Sequence, residues 1–205
     1  NVPAIIEAWH LGTESGNAIA QVLYGDYNPS GKLPMSFPRS VAQMPLYYNY
    51  KNTGRPGADG ADAGSVFWSH YGDEKNSPLY PFGYGLSYTS FEYSEIELNS
   101  NKLTINSEIT VSVNVKNTGK VKGKEVVQMY IKDHFASTTR PVKELKGFKL
   151  IELGPGESRT ISFTINADLL KFYSARKKWE SEPGKFSVFI GSDSATKRKA
   201  IFDLK

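Results

Sequence analysis

The chain has 205 residues, 39% of them hydrophobic and 22% charged, which is room for one large domain or two small ones with an apolar core. Its 25 Lys and Arg against 21 Asp and Glu leave a net charge of +4, scattered along the chain and densest only in the short run Lys197-Arg198-Lys199, so it draws no nucleic-acid footprint. Absence of cysteine excludes disulfide scaffolds and Cys-based zinc or redox centres, and no run approaches the roughly 20 apolar residues of a membrane-spanning helix.

The opening, Asn1-Val2-Pro3-Ala4-Ile5-Ile6, carries neither Met nor a basic leader and is expected to be a mature or cut product. Ala4 to Trp9 is a short, mostly apolar run of the kind used by a buried parallel strand. Gly12 to Ser15 offers a turn and a helix start, after which Ala18, Ile19, Val22 and Leu23 share one helical face. Gly25 stands where a terminating glycine belongs. Asn28 to Gly31 is a turn cluster, and Leu33 to Pro38 holds two prolines, which no central strand accepts. A single strand–helix unit exposes a strand with two unpaired edges. Residues 1–45 are therefore expected to be the tail of a larger α/β domain.

Residues 46–88 form a Gly-, Pro- and aromatic-rich stretch. Lys51 to Gly64 predicts a mobile loop, and Pro78 to Leu86 predicts an ordered extended segment packed against another surface. From residue 89 the texture changes. Ile109, Val111, Val113 and Val115 alternate with polar residues, predicting a strand with one buried face, closed by the turn Asn117-Thr118-Gly119. Further strands are predicted over 125–132 (apolar on both faces), 143–153, 160–166, 185–191 and 199–204, with a short helical turn over 167–173 capped by Asn166 or Asp168. About seven short strands make 89–205 a β-sandwich of fibronectin III or immunoglobulin type, and without a Cys–Trp–Cys core the fibronectin III type is favoured. The chain as a whole reads as mainly β.

Chemistry-bearing residues are sparse. Phe82-Gly83-Tyr84-Gly85 lacks the third glycine and the helix of a dinucleotide loop. His10, His70 and His134 have no second ligand at helical spacing and read as structural or surface groups. No nucleophile-elbow serine is present, and Ser36 has no helix after it. No metal or cofactor is called for. Carboxylates remain, and glycoside hydrolysis needs two of them about 5–9.5 Å apart. Glu14 and Asp26 suit helix ends. Asp73 and Glu74 sit in a Tyr-rich loop, where a solvated carboxylate is the plainer reading and a sugar contact the sharper one. Trp9, Tyr71 and Asp73 are the candidates for substrate contact; packing is the plainer role for Trp9 and for Trp68.

Glu7-Ala8-Trp9, Gly12 to Ala18, Leu23 to Pro34 and Pro78 to Tyr88 together resemble the C-terminal part of glycoside hydrolase family 3, in particular its bacterial periplasmic β-glucosidases. Val115 to Gly119, Arg140 to Phe148 and Pro183 to Phe186 resemble that family's fibronectin III-like domain. The resemblance implies a TIM-like barrel and an α/β sandwich upstream as partners, a retaining exo-acting hydrolase of terminal β-linked sugars or β-glucosides, no cofactor, and a periplasmic or secreted location. It implies no nucleic-acid or membrane partner and leaves room for an oligomer. The family's Asp nucleophile lies in a Ser-Asp-Trp-like context that does not occur here, and its acid/base Glu lies upstream of the Glu7-Ala8-Trp9 unit. Glu7 is not that acid/base, so no catalytic residue is expected in this chain. Its expected role is a structural buttress. A stand-alone carbohydrate-binding or adhesion module, supported by the aromatics of 47–93, is the alternative. A purely structural module making contacts within or between chains is a third reading.

Overall fold

The computed structural model describes residues 2–55, 67 and 69–205. The helix forms as the pattern predicts: α1 spans Ser15–Tyr24, and Gly25 ends it in the left-handed region at φ 84°, its N–H bonded to Val22 O. None of its residues is buried. The run 4–9 is neither helical nor paired. A strand is defined by the neighbour it bonds to, and no described residue offers one, so Ile5 stays 69% exposed.

Among the described residues eleven strands follow, all after residue 90. In chain order they are β1 (Phe91–Tyr93), β2 (Glu97–Leu98), β3 (Lys102–Leu103), β4 (Glu108–Asn117), β5 (Gly123–Asp133), β6 (Glu144–Leu153), β7 (Ser158–Asn166), β8 (Phe172–Tyr173), β9 (Trp179–Glu180), β10 (Gly184–Gly191) and β11 (Lys199–Leu204). One sheet has β4 at its centre, with β7 along one edge and β1 and β2 sharing the other. The facing sheet runs β3-β11-β10-β5-β6. All its pairings are antiparallel except β3 with β11. β8 and β9 make a separate hairpin.

The alternation in the sequence becomes the core. Ile109, Val111, Val113 and Val115 of β4 meet Val127, Met129 and Ile131 of β5 and Phe186, Val188 and Ile190 of β10 between the sheets. Phe186 stacks on Phe202 at 5.5 Å. Asn117 is fully buried at the end of β4 and bridges the layers, its amide donating to Val121 O and Leu153 O. The turn over 154–157, between β6 and β7, places Gly156 at φ 75°. The helical turn predicted over 167–173 is shorter, Asp168–Leu170, with Asn166 Oδ1 accepting from Leu169 N–H, and the chain then becomes strand β8.

Asp133, at the end of β5, is nearly enclosed and lies 3.9 Å from Arg140 Nε. Arg140 also pairs with Glu144 and covers the Phe172 ring at 4.4 Å. Burial pushes the Asp133 carboxyl up to about 6, against the opposing pull of Phe135 N–H and Arg140. A carboxyl raised on folding adds stability below its unfolded pKa, near 3.9, and loses it as pH rises through the folded value. Wild type should therefore lose about 3 kcal/mol between pH 4 and pH 7 from this group. Denaturant midpoints across that range should fall more steeply for wild type than for Asp133→Asn; parallel curves would contradict the assignment.

Candidate functional site

β5 departs from simple alternation because both of its faces are covered. Val127, Met129 and Ile131 face the core, while Gln128 and Tyr130, also buried, point the other way. What covers them is the segment Pro78–Leu86 with residues 32–37 laid alongside it. Leu33 N–H bonds Tyr84 O and Gly83 N–H bonds Leu33 O, each at 2.8 Å, and Phe37 bridges Tyr80. The predicted ordered aromatic segment is thus a two-ply strap. Tyr48 is stacked on Phe82 with ring centroids 4.2 Å apart and meets Tyr130 edge-on at 6.0 Å.

Polar groups fix the strap in register. Gln128 Nε2 donates to Gly83 O at 3.1 Å and Ser192 O at 2.6 Å, and its Oε1 accepts from the Tyr130 hydroxyl. Gly83 adopts φ +81°, and a Cβ there would sit 2.2 Å from the Gln128 amide oxygen. Only glycine meets both demands. Ser194 N–H adds a bond to Phe82 O.

A second lock closes the mouth between the sheets. Glu125 shares the parity of Val127 and is 4% exposed. Lys32 Nζ reaches it at 3.2 Å while donating to Gly85 O at 2.9 Å. The Tyr93 hydroxyl donates to the other carboxylate oxygen at 2.8 Å. Burial pushes the Glu125 carboxyl up, opposed by the Lys32 ammonium and the Tyr93 bond. Burial, with Glu125 adding to it, also pushes the Tyr93 phenol up. Each carboxylate oxygen of Glu125 thus has one donor, Lys32 on one and Tyr93 on the other. Further along, Asn28 Nδ2 donates to Lys122 O, its Oδ1 accepts from Tyr88 N–H, and the Tyr88 hydroxyl donates to Val22 O at the end of α1.

The residues singled out for substrate contact lie elsewhere. Trp9 is half exposed, at φ 49°, with its ring edge-on to Phe37 at 6.2 Å. Tyr71 is partly buried, and its N–H bonds Asn76 Oδ1. Asp73 is exposed. No hydrogen bond, ion pair or ring contact among the described residues joins Trp9 to Tyr71 or Asp73. Trp68 and most of the loop expected over 51–64 lie outside the described residues. Glu14 stands at the head of α1 and accepts from the Asn17 amide. His134 Nε2 meets Ser187 Oγ at 2.9 Å. The Lys32–Glu125 pair was hidden in the sequence, its members being 93 positions apart. The one available signal was a Glu and a Gln inside an otherwise apolar strand.

This architecture is a fibronectin III-like sandwich strapped to an N-terminal segment that carries one α-helix among the described residues. Residues 1–88 match the glycosyl hydrolase family 3 C-terminal domain, and residues 125–194 match a fibronectin type III-like domain. The chain belongs to glycoside hydrolase family 3 and corresponds to the C-terminal part of its members. It is 55% identical over 98% of its length to a periplasmic β-glucosidase of Salmonella typhimurium, covering 26% of that protein. It is 46% identical over 95% of its length to a β-xylosidase of Formosa agariphila, again 26% of that protein. A β-glucosidase of Listeria innocua solved in complex with glucose superposes with a TM-score of 0.90 at 41% identity, covering 97% of this chain and 27% of that one. The chain thus spans about a quarter of the length of these relatives.

Removing Lys32 leaves a buried carboxylate without its cation, which costs about 3–5 kcal/mol. Lys32→Met should lower the melting temperature at pH 7 and do so less at pH 5, since a carboxyl raised on folding is best tolerated protonated. Lys32→Met with Glu125→Gln should recover much of the loss. Equal losses at both pH values, with no recovery in the double variant, would show the pair to be energetically idle.

Proposed function

We propose that this chain is the C-terminal portion of a β-glucosidase-type hydrolase and acts there as a structural buttress. In that reading residues 1–45 complete an α/β domain, 46–88 are the loop and linker to which the Pro78–Leu86 ply of the strap belongs, and 89–205 are the sandwich that holds it. Hydrolysis of terminal β-linked sugars proceeds with retention at two carboxylates. An Asp attacks the anomeric carbon, and a Glu protonates the leaving oxygen and then deprotonates the incoming water. Both belong to the barrel and α/β domains that are this segment's partners in the longer protein.

The observation that carries the reading is the contrast between the chain's two halves. The sandwich builds a buried apolar core between its sheets, whereas α1 in the first 50 residues buries nothing, with Leu23 63% and Tyr24 85% exposed. Clustered apolar exposure of this kind marks a surface meant to be covered. Within this reading Tyr71 and Asp73 are offered for sugar contact and Trp9 for packing between domains. The name of the Salmonella relative supports a periplasmic or secreted location.

The 205-residue chain should not release nitrophenol from a nitrophenyl β-glucoside. Grafted in place of the corresponding segment of the Salmonella enzyme, it should support turnover within about tenfold of the parent, because a buttress keeps kcat by keeping geometry. Turnover by the isolated chain, or a soluble and folded but inactive graft, would refute the buttress role.

A further inference from the structure

The hairpin of β8 and β9 is fastened from within and presents its aromatics outward. Phe172 is 2% exposed beneath Arg140. Its cross-strand partner Glu180 accepts from Ser174 Oγ and, at 2.9 Å, from Arg176 Nε. These bonds hold its carboxyl below the ordinary range. With those two positions fixed, the pair between them, Tyr173 and Trp179, is turned to solvent. Trp179 is 71% and Tyr173 54% exposed, edge to face at 6.1 Å.

Trp179 also forms one wall of an open groove of about 450 Å³, whose other wall is the turn Ile105–Glu108 and whose floor is Asn166–Asp168. That size falls within the range of small-ligand sites. Eight of its eleven lining residues are polar or charged, although carbon makes up more of the exposed lining surface. Asn166 Nδ2 donates to Glu108 Oε1 at 3.3 Å, and Asp168 pairs with Lys171. A protein partner would want an apolar centre. An anion would meet three carboxylates, of Glu108, Asp168 and Glu180, against one Lys171. A flat π surface beside amides and carboxylates suits a neutral ring with a C–H face and a rim of hydroxyl groups.

We propose that this groove is an accessory sugar-binding subsite for a β-linked gluco-oligosaccharide, with Trp179 as its stacking platform. It sits at the Glu108 end of β4, roughly 30 Å along the strand from the Asn117 end, where Thr89 Oγ1 bonds Asn117 and the strap joins the sandwich. It therefore stays clear of that junction. The choice of β-linked glucosides rests on the hydrolase reading; the groove and its aromatic wall do not.

The test titrates the ¹⁵N-labelled 205-residue chain with cellohexaose and, separately, laminarihexaose, following the indole and backbone N–H resonances. The chain has three Trp, so Trp179→Phe assigns the reporting signal. A saturable shift of the Trp179 indole and of the backbone N–H groups of Glu108, Asn166 and Asp168, with Kd on the order of 1 mM, is the expected result, and the Kd read from those backbone groups should weaken about tenfold in Trp179→Ala and less in Tyr173→Ala. If Trp179→Ala melts early, a partial weakening in Trp179→Phe, which keeps a ring, serves instead. No saturable shift with either sugar overturns the proposal, as does a shift that survives in Trp179→Ala. Binding only to vesicles rich in anionic lipid, through the hairpin turn Arg176-Lys177-Lys178, also overturns it. Because the readout is binding, its failure is separate from a failure of the graft to hydrolyse.

Discussion

A single buried amide sets the relation between the strap and the sandwich. Gln128 spends both of its N–H donors on main-chain oxygens from two distant segments and its oxygen on Tyr130. Leaving one such group unmet costs about 1–3 kcal/mol, so any slip of the strap by one residue is penalised. Apolar contact between Tyr48, Phe82 and Tyr130 supplies attraction without direction. The amide supplies direction, and the Lys32–Glu125–Tyr93 cluster repeats the arrangement at the mouth between the sheets.

These two locks give the chain its asymmetry. The strap and the sandwich are bonded to each other within the chain, while α1 is fastened mainly at its end, through Tyr88 and Asn28, and buries no residue of its own. A module built this way transmits position: whatever packs on the exposed face of the first 50 residues is held at a fixed offset from a rigid sandwich. That matches its place in glycoside hydrolase family 3, where the equivalent segment is about a quarter of the relatives that it matches.

Period-two alternation identified β4, β7, β10 and β11 in the sequence, since each has one face on the core and one toward water or a neighbour. β5 was legible as a strand but not as a docking surface, because covering both faces erases the alternation. β2, β3, β8 and β9 have two residues each, too short for any period to register, and they are set by pairing with longer neighbours. The run 4–9 reads as strand and is unpaired among the described residues. Gly83 was legible as a turn residue, but its fit against Gln128 was not, since nothing local connects them. The aromatic texture of 78–88 announced packing against a surface and could not say which one. The outward pair gave no signal: Tyr173 ends the stretch where a helical turn was expected, and Trp179 falls in no predicted element.

The bonds that hold the strap are distant in the sequence: Asn28 meets a carbonyl 94 residues ahead, and Tyr48 a peptide N–H 97 ahead. At about 5–20 residues per second of translation, a nascent strap waits on the order of 10 s before its seat has left the ribosome. During that interval its rings have only one another, Tyr80 against Tyr84 and Phe37, and not the sandwich.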